Sequence, residues 1–506
     1  MGIRIKKSVS NLFLVFIFSV TGNQIYAQGV KEIIIQNADS ILSDKNIANG
    51  ANRLIGNVEI IINEALMKCD SAYYFPAERL VEAFSHVHIN RADTLQLWGD
   101  YMQYNELDSM IRVKDNVVLV NNDAKLYTQI LNYNLVSDVG YYPVEGIIYN
   151  GDNTLSSKTG YFYSKINTAV FNDSVIIKTP DYTIYSNSLK YNTEQKITYF
   201  LDSTDIYSEE NHIFCENGEY NTQTKIFLIS KNAQLENTSR SLTGDSIYYD
   251  DNLQFGIARS NVTINDTSKN IILTSNYAEY YKVPEKAYLT KEAVLIQIIE
   301  NDSLFLHADT LKLNTDSANN RVIFAYYNVK FFKSNMQGMC DSMYFSQKDS
   351  VLQFHGEPVL WSGENQITGN YMEIYMKNDV MDRMEIIGNS FLGSIVDTNQ
   401  FNQVKGKHMT GYFNKNELDL IDVMGNGQTV YYLKDDNDMI GVNLSICSNM
   451  KIYVKDRRPF IIKNLVKPDA TLYPTEQAPK DQLVLENFKW LDKYRPKKKS
   501  DIFLWK

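Results

Sequence analysis

An aromatic anchor recurs along this chain at an almost constant interval, and that interval restricts the possible folds more than any single motif does. Tyr104, in Gly-Asp-Tyr-Met-Gln-Tyr-Asn, marks the slot. The same slot holds Tyr74, Tyr133, Tyr163, Tyr191, Tyr220, Tyr249, Tyr280, Leu313, Phe345 and Ile374, and less regularly Phe413 and Tyr453. Successive spacings are 30, 29, 30, 28, 29, 29, 31, 33, 32 and 29 residues, then 39 and 40. A fixed period of this length means an array of one supersecondary unit, each burying its apolar face against its neighbours. The two long gaps predict inserted loops around Val396–Val404 and Asp435–Ile440, and the looser spacing after Tyr280 hints at two sub-arrays breaking near 280–310.

Each unit carries a second half-motif, a turn-prone residue followed by an alternating apolar pair. Examples are Asn57 before Val58 and Ile60, His86 before Val87 and Ile89, and Asn116 before Val117 and Leu119. The pattern continues with Ser174 before Val175 and Ile177, and Asn261 before Val262 and Ile264. The anchor segments alternate too, as in Leu131 with Tyr133, Leu189 with Tyr191 and Ile247 with Tyr249. Period two means strands with one buried face. Proline agrees: of ten in the chain, five fall at Pro459 or later, so the array is nearly free of the residue that breaks β-ladders.

One unit therefore reads as a hairpin with two long legs, turned at segments such as Glu106–Ser109. A small or turn-prone residue stands mid-leg (Gly99-Asp100, Asp115-Asn116), where it tolerates a sharp bend. A bend in every leg at one height folds the ribbon lengthwise into a V with opposed apolar faces. The predicted fold is all-β, an elongated antiparallel β-jellyroll of hairpin repeats. Two strands per unit give a rise of roughly 10 Å, and thirteen units a length of roughly 120 Å.

The ends are of other kinds. Arg4, Lys6 and Lys7, the apolar run Leu12–Val20, and Ala27 before Gln28 have the layout of a secretory signal peptide over residues 1–27. The alternative is an uncleaved anchor. The array is expected over 28–465. Residues 466–506 form a basic tail or capping segment, with Leu483 to Leu491 suggesting a short amphipathic helix. Lys497-Lys498-Lys499 could touch anionic lipid at a membrane surface.

Chemistry-bearing motifs are sparse. The net charge of −10 argues against nucleic acid, whose phosphates demand a basic face. There is no phosphate-cradling Gly-rich loop and no nucleophile elbow. His86-x-His88 places two rings on one strand face, but no third ligand lies near, and exposed strand histidines are expected. Cys69, Cys215, Cys340 and Cys447 occupy or adjoin the small mid-leg slot, too far apart in the stack for a disulfide. No enzyme, cofactor or metal is expected. What remains is the inner face: Val58, Ile60, Val87, Ile89, Val117, Leu119, Val175, Ile177, Val262 and Ile264, with Tyr104, Tyr133, Tyr191 and Tyr249. A V closed along one side leaves a continuous apolar slot suited to acyl chains. A dry core is the equal alternative, making this an exported structural or interaction repeat protein.

Residues Gly56-Asn57-Val58, followed by Asp70, Ala72 and Tyr74, resemble the repeat of the OstA-like family, and Gly99-Asp100 with Asp115-Asn116-Val117 and Tyr104 repeat the match. The family includes the periplasmic bridge protein of lipopolysaccharide transport. The resemblance implies a V-shaped jellyroll that holds lipopolysaccharide acyl chains, passes them from inner to outer membrane and needs no cofactor. It implies partners that are other jellyroll components of the transport machinery, joined by edge-strand pairing. The chain is longer than the family's bridge protein, which suggests that it replaces a stack of such subunits.

Overall fold

A computed structural model describes residues 33–505 apart from 44–49, 63–64, 92–94, 122, 300–301, 317, 319, 379, 415–416, 436–437 and 456–457. The signal peptide expected over 1–27 lies outside the described residues. Among the described residues the chain is nearly all strand, paired antiparallel in sequence order, and the helical elements are 3-10 turns of three to five residues. The fold is the all-β antiparallel jellyroll that the repeat predicts. It divides into two compact units. The N-terminal unit ends at Thr238 and adds Thr243–Gln254; the C-terminal unit comprises Ser239–Leu242 and Phe255–Lys506. That division lies ahead of the 280–310 suggested by the anchor spacing.

The repeat is built at three heights. At the hairpin tip, Asn134 Oδ1 accepts the backbone N–H groups of Val136 (3.0 Å) and Ser137 (2.8 Å), and Asn192 and Asn221 do the same in their own units. This explains why Asn follows the anchor tyrosine: its side chain closes the turn. The turn then ends on a left-handed residue, at Ser109, Asp138, Asn167, Lys196, Lys225 and Gln254, 29 residues apart each time. The carbonyls of the first five of these accept from the next tip. Leu135 N donates to Ser109 O at 2.9 Å, Ser164 N to Asp138 O at 3.0 Å and Thr193 N to Asn167 O at 2.7 Å. Tip stacking thus fixes the period.

Mid-leg, two consecutive residues take left-handed angles. In the strand Met110–Asn121 these are Asp115 (φ 62°) and Asn116 (φ 52°). Lys114 pairs with Ile130 and Val117 with Thr128, so two residues oppose one, a bulge that bends the leg. The doublet recurs at Ser85-His86, Asp173-Ser174, Ser260-Asn261, Lys291-Glu292 and Tyr327-Asn328. Opposite it sits the small slot, buried inside the bend. A Cβ on Gly99 would lie 2.5 Å from Val113 Cγ1. Where the slot holds a hydroxyl or thiol, that group reaches the carbonyl two residues on: Cys69 to Ser71 (3.3 Å), Ser186 to Ser188 (3.2 Å), Ser275 to Tyr277 (3.1 Å), Cys340 to Ser342 (3.3 Å).

Some legs break fully at the bend. Ala124–Asn134 pairs with Val139–Tyr142 along one half and Gly146–Asn150 along the other. Each leg therefore has two half-strands, and within each unit the two half-sheets oppose their inner faces. The long gaps late in the chain are not inserted loops. They lengthen the legs instead, to 18 residues in Val380–Asp397 and 19 in Glu417–Asp435.

The tail is a second departure. Asp469–Tyr473 pairs with Asp438–Lys455, and residues 475–503 then run as 3-10 turns and extended chain with no α-helix. The amphipathic helix read from Leu483 to Leu491 does not form. Leu483, Leu485, Phe488 and Trp490 face the strands of the C-terminal unit instead, while Val484 is exposed. Phe488 packs on Phe391 and Phe401 with ring centroids 5.9 and 5.7 Å apart.

Candidate apolar groove

The V fold sorts the inner-face residues by depth. Val58, Val87, Val117, Val175 and Val262 follow the left-handed doublet directly, so they sit deep in the bend and are at most 1% exposed. Ile60, Ile89, Leu119, Ile177, Tyr104 and Tyr191 are also buried, while Ile264, Tyr133 and Tyr249 are half-buried nearer the mouth. The Tyr133 hydroxyl donates to Asp138 Oδ1 at 2.8 Å; burial, then that carboxylate, pushes its phenol up to about 12.

The half-sheets separate toward the tips. In the N-terminal unit they leave a cavity of about 210 Å³. Tyr182, Ile184, Ile206, Ile213 and Leu235 line it from one half-sheet, and Phe200, Tyr220, Phe227 and Tyr249 from the other. Phe227 packs edge-on between Phe200 (6.4 Å) and Tyr220 (6.3 Å). The rim is polar: Asp181, Glu209, Glu210 and Asn211 on one tip, Lys225 and Asp251 on the other. Burial pushes the Tyr182 and Tyr220 phenols up, so both remain neutral walls. A smaller cavity of about 40 Å³ takes the same place in the C-terminal unit, among Ile271, Leu273, Ala287, Leu313 and Ile323. Its rim holds Lys269 and Asp266, and Arg240 Nε reaches Asp266 at 3.0 Å.

Of the fourteen inner-face residues read from the sequence, Tyr249 alone lines the larger cavity. The others pack around the bend or lie along other legs. The missed residues share one signal: the repeat lapses there. In the unit 197–208 the position of the usual valine is Thr204, which bonds Ser186 Oγ at 2.8 Å. Its leg splits into Ile197–Phe200 and Thr204–Ser208.

His86 and His88 are not brought together. The left-handed angle at His86 breaks strand alternation, so its Nδ1 meets Asp70 Oδ2 at 2.7 Å, while His88 stacks on Trp98 at 4.8 Å. Among the described residues no group of three His, Cys, Asp or Glu could hold a metal ion. No described helix is long and apolar enough to cross a membrane.

The bulge, the small slot and the anchor define the repeat, and the repeat can be compared. The family model of OstA-like proteins matches residues 30–187 and 183–245. Residues 30–245 are thus similar to OstA-like proteins. No curated protein matches the chain. Among solved structures, the chain is similar to the crystal structure of LptH, described as the LptA homologous periplasmic component of the conserved lipopolysaccharide transport device from Pseudomonas aeruginosa. Identity is 12% over 28% of this chain and 95% of that one, with a TM-score of 0.22.

Proposed function

We propose that this protein is a periplasmic lipid carrier that holds lipopolysaccharide acyl chains between its half-sheets and passes them from inner toward outer membrane. One observation carries the reading: the apolar cavity of about 210 Å³ that opens between the half-sheets of the N-terminal unit. Apolar cavities of roughly 150 Å³ already take up benzene-sized ligands. Walls of Phe200, Phe227, Ile213 and Leu235 offer contact area without directional chemistry, which suits a flexible acyl chain and its sliding transfer. The family supports a transport role rather than catalysis. Among the described residues, strands paired on one side only give partners a place to pair: Ile33–Asn37 and Ser40–Ser43 in one unit, Arg458–Leu465 and Asp469–Tyr473 in the other. The dry bend, where Val58 and Val175 are 0% exposed, favours the structural alternative over part of each leg.

The test is mass spectrometry of lipid bound to the chain purified from its own periplasm, with photo-crosslinking residues placed at Phe227 and at outward-facing Lys114. Lipopolysaccharide recovered, and crosslinked from Phe227 only, is the expected result. An empty protein, or equal crosslinking from both positions, would leave a structural repeat protein.

A further inference from the structure

The C-terminal unit carries a row of outward residues that are cross-strand partners in turn: Gln337, Trp361, Gln366, Gly393, Gln403 and Val430. Such a row runs perpendicular to the strands. Outward positions on a jellyroll normally meet water, yet Gln337, Gln366 and Gln403 are 1–3% exposed and Trp361 is 0% exposed. The chain's own residues 478–505 cover them.

The cover is read through its backbone. Gln366 Nε2 donates to Lys489 O and its Oε1 accepts from Leu491 N, both at 2.7 Å. Gln403 does the same with Leu483 O and Leu485 N, both at 2.8 Å. Each amide thus pairs with residues i and i+2 of an extended chain, as a strand neighbour would. Gln337 Oε1 accepts from Arg495 Nε at 2.8 Å, and the Lys330 ammonium donates to Tyr494 O at 3.0 Å and to Leu504 O. Gly393 makes the seat for Phe488: a Cβ there would lie 2.8 Å from the Phe488 ring. These polar keys fix one register, which an indifferent greasy contact would not.

The fold itself does not require the cover. On the N-terminal unit the same outer face presents Tyr127, Tyr149, Tyr185 and Tyr207, each 42–45% exposed, with no covering segment like residues 478–505 among the described residues. Pro474, Glu476 and Gln477, which join the last strand to the covering segment, are exposed.

We propose that the Gln337–Val430 row is a docking track for an extended polypeptide, and that residues 478–505 are its resident, exchangeable ligand, replaceable by the same segment of a second copy. This is independent of the lipid reading. The experiment uses the full chain with a protease site introduced between Tyr473 and Ala478. After cleavage, an excess of fluorescent synthetic peptide 478–505 is added. Saturable uptake of that peptide, no uptake of a scrambled one, and at least tenfold weaker uptake by the Gln366→Ala/Gln403→Ala double variant are expected. In the uncut chain, Gly393→Val should unseat Phe488 and expose residues 480–500 to protease while the strand fold survives. The proposal fails if the scrambled peptide enters equally, if the cut segment never exchanges, or if cleavage unfolds the unit, since the segment would then be core rather than ligand.

Discussion

Asn116 reaches across the bend to the preceding leg, where its Nδ2 donates to Asp100 Oδ2 at 2.6 Å. The same link joins Asn57 to Asp39 (2.9 Å), Asn232 to Glu216 (2.6 Å) and Asn328 to Asp309 (2.8 Å). In each case the donor is the second left-handed residue of a doublet, so one side chain serves two ends: it tolerates positive φ and ties the bend to its neighbour. A β-branched residue tolerates neither. Asn116→Val should destabilise its unit by about 1–3 kcal/mol. Hydrogen exchange would show this as faster exchange in Leu95–Asn105 and Met110–Asn121, with distant legs unaffected. Unchanged protection there would mean that the bend is held by the ladder alone.

The bend also accounts for the cysteines. All four are free and buried. Burial pushes the Cys69 thiol up to about 11 and that of Cys215 up to about 12, and raises Cys340 further. Thiolate is the reactive form, so native protein at pH 8 should resist thiol reagents and react only after unfolding. Serine already fills this slot at Ser186 and Ser275 with the same contact. Cys340→Ser should therefore cost no more than about 1 kcal/mol, whereas Cys340→Leu should overpack the bend by about 1–3 kcal/mol. Thermal melts of the two variants separate these; equal losses would show that size is not what the slot selects.

The bend and the tip were legible because each is a local backbone demand. Left-handed angles call for Gly, Asn, Asp or Ser, and a tip closed by a side-chain carbonyl calls for Asn after Tyr104, Tyr133 or Tyr191. The cavity was hidden for the converse reason. It forms where the repeat is least like itself, at Thr204 and the split leg around it, so a consensus reading looks past it. The tail misled because Leu483, Leu485, Phe488 and Trp490 carry an apolar pattern whose partner, the Gln366 and Gln403 row, lies about 80 to 125 residues away in sequence. Periodicity cannot distinguish a helix face from an extended segment that meets its own surface.

His212 joins three strands of the N-terminal unit. Its Nε2 lies 2.7 Å from Asp205 Oδ1 and its Nδ1 2.9 Å from Glu236 Oε1, with Tyr207 stacked on the ring at 4.4 Å. A neutral imidazole has one N–H and can donate to one carboxylate only, so both bonds require the imidazolium. Burial alone would disfavour that charge, but the Glu236 and Asp205 carboxylates outweigh it and hold the pKa above its ordinary value. The sign follows: this stabilisation is complete below the unfolded value near 6.5 and is lost as pH rises through the higher folded value. Exchange in Asn211–Cys215, corrected for intrinsic rate, should therefore accelerate across that interval. His212→Gln should remove the dependence. A flat profile in the parent protein would show that the ladder alone holds this strand.

If the cavity of the N-terminal unit is where acyl chains sit, filling it should exclude them without harming the fold. Ile213 and Leu235 are cross-strand partners on its wall. Ile213→Trp adds an indole to roughly 210 Å³ of free volume, so overpacking should be small there. Val117→Trp makes the same kind of change deep in the bend, where Val117 is 1% exposed, and should cost about 1–3 kcal/mol. The two therefore separate binding from stability. Ile213→Trp should melt within a few degrees of the parent and lose most of its bound lipid, measured by mass spectrometry of the purified protein. Full lipid occupancy in a folded Ile213→Trp protein would place the acyl chains elsewhere along the legs.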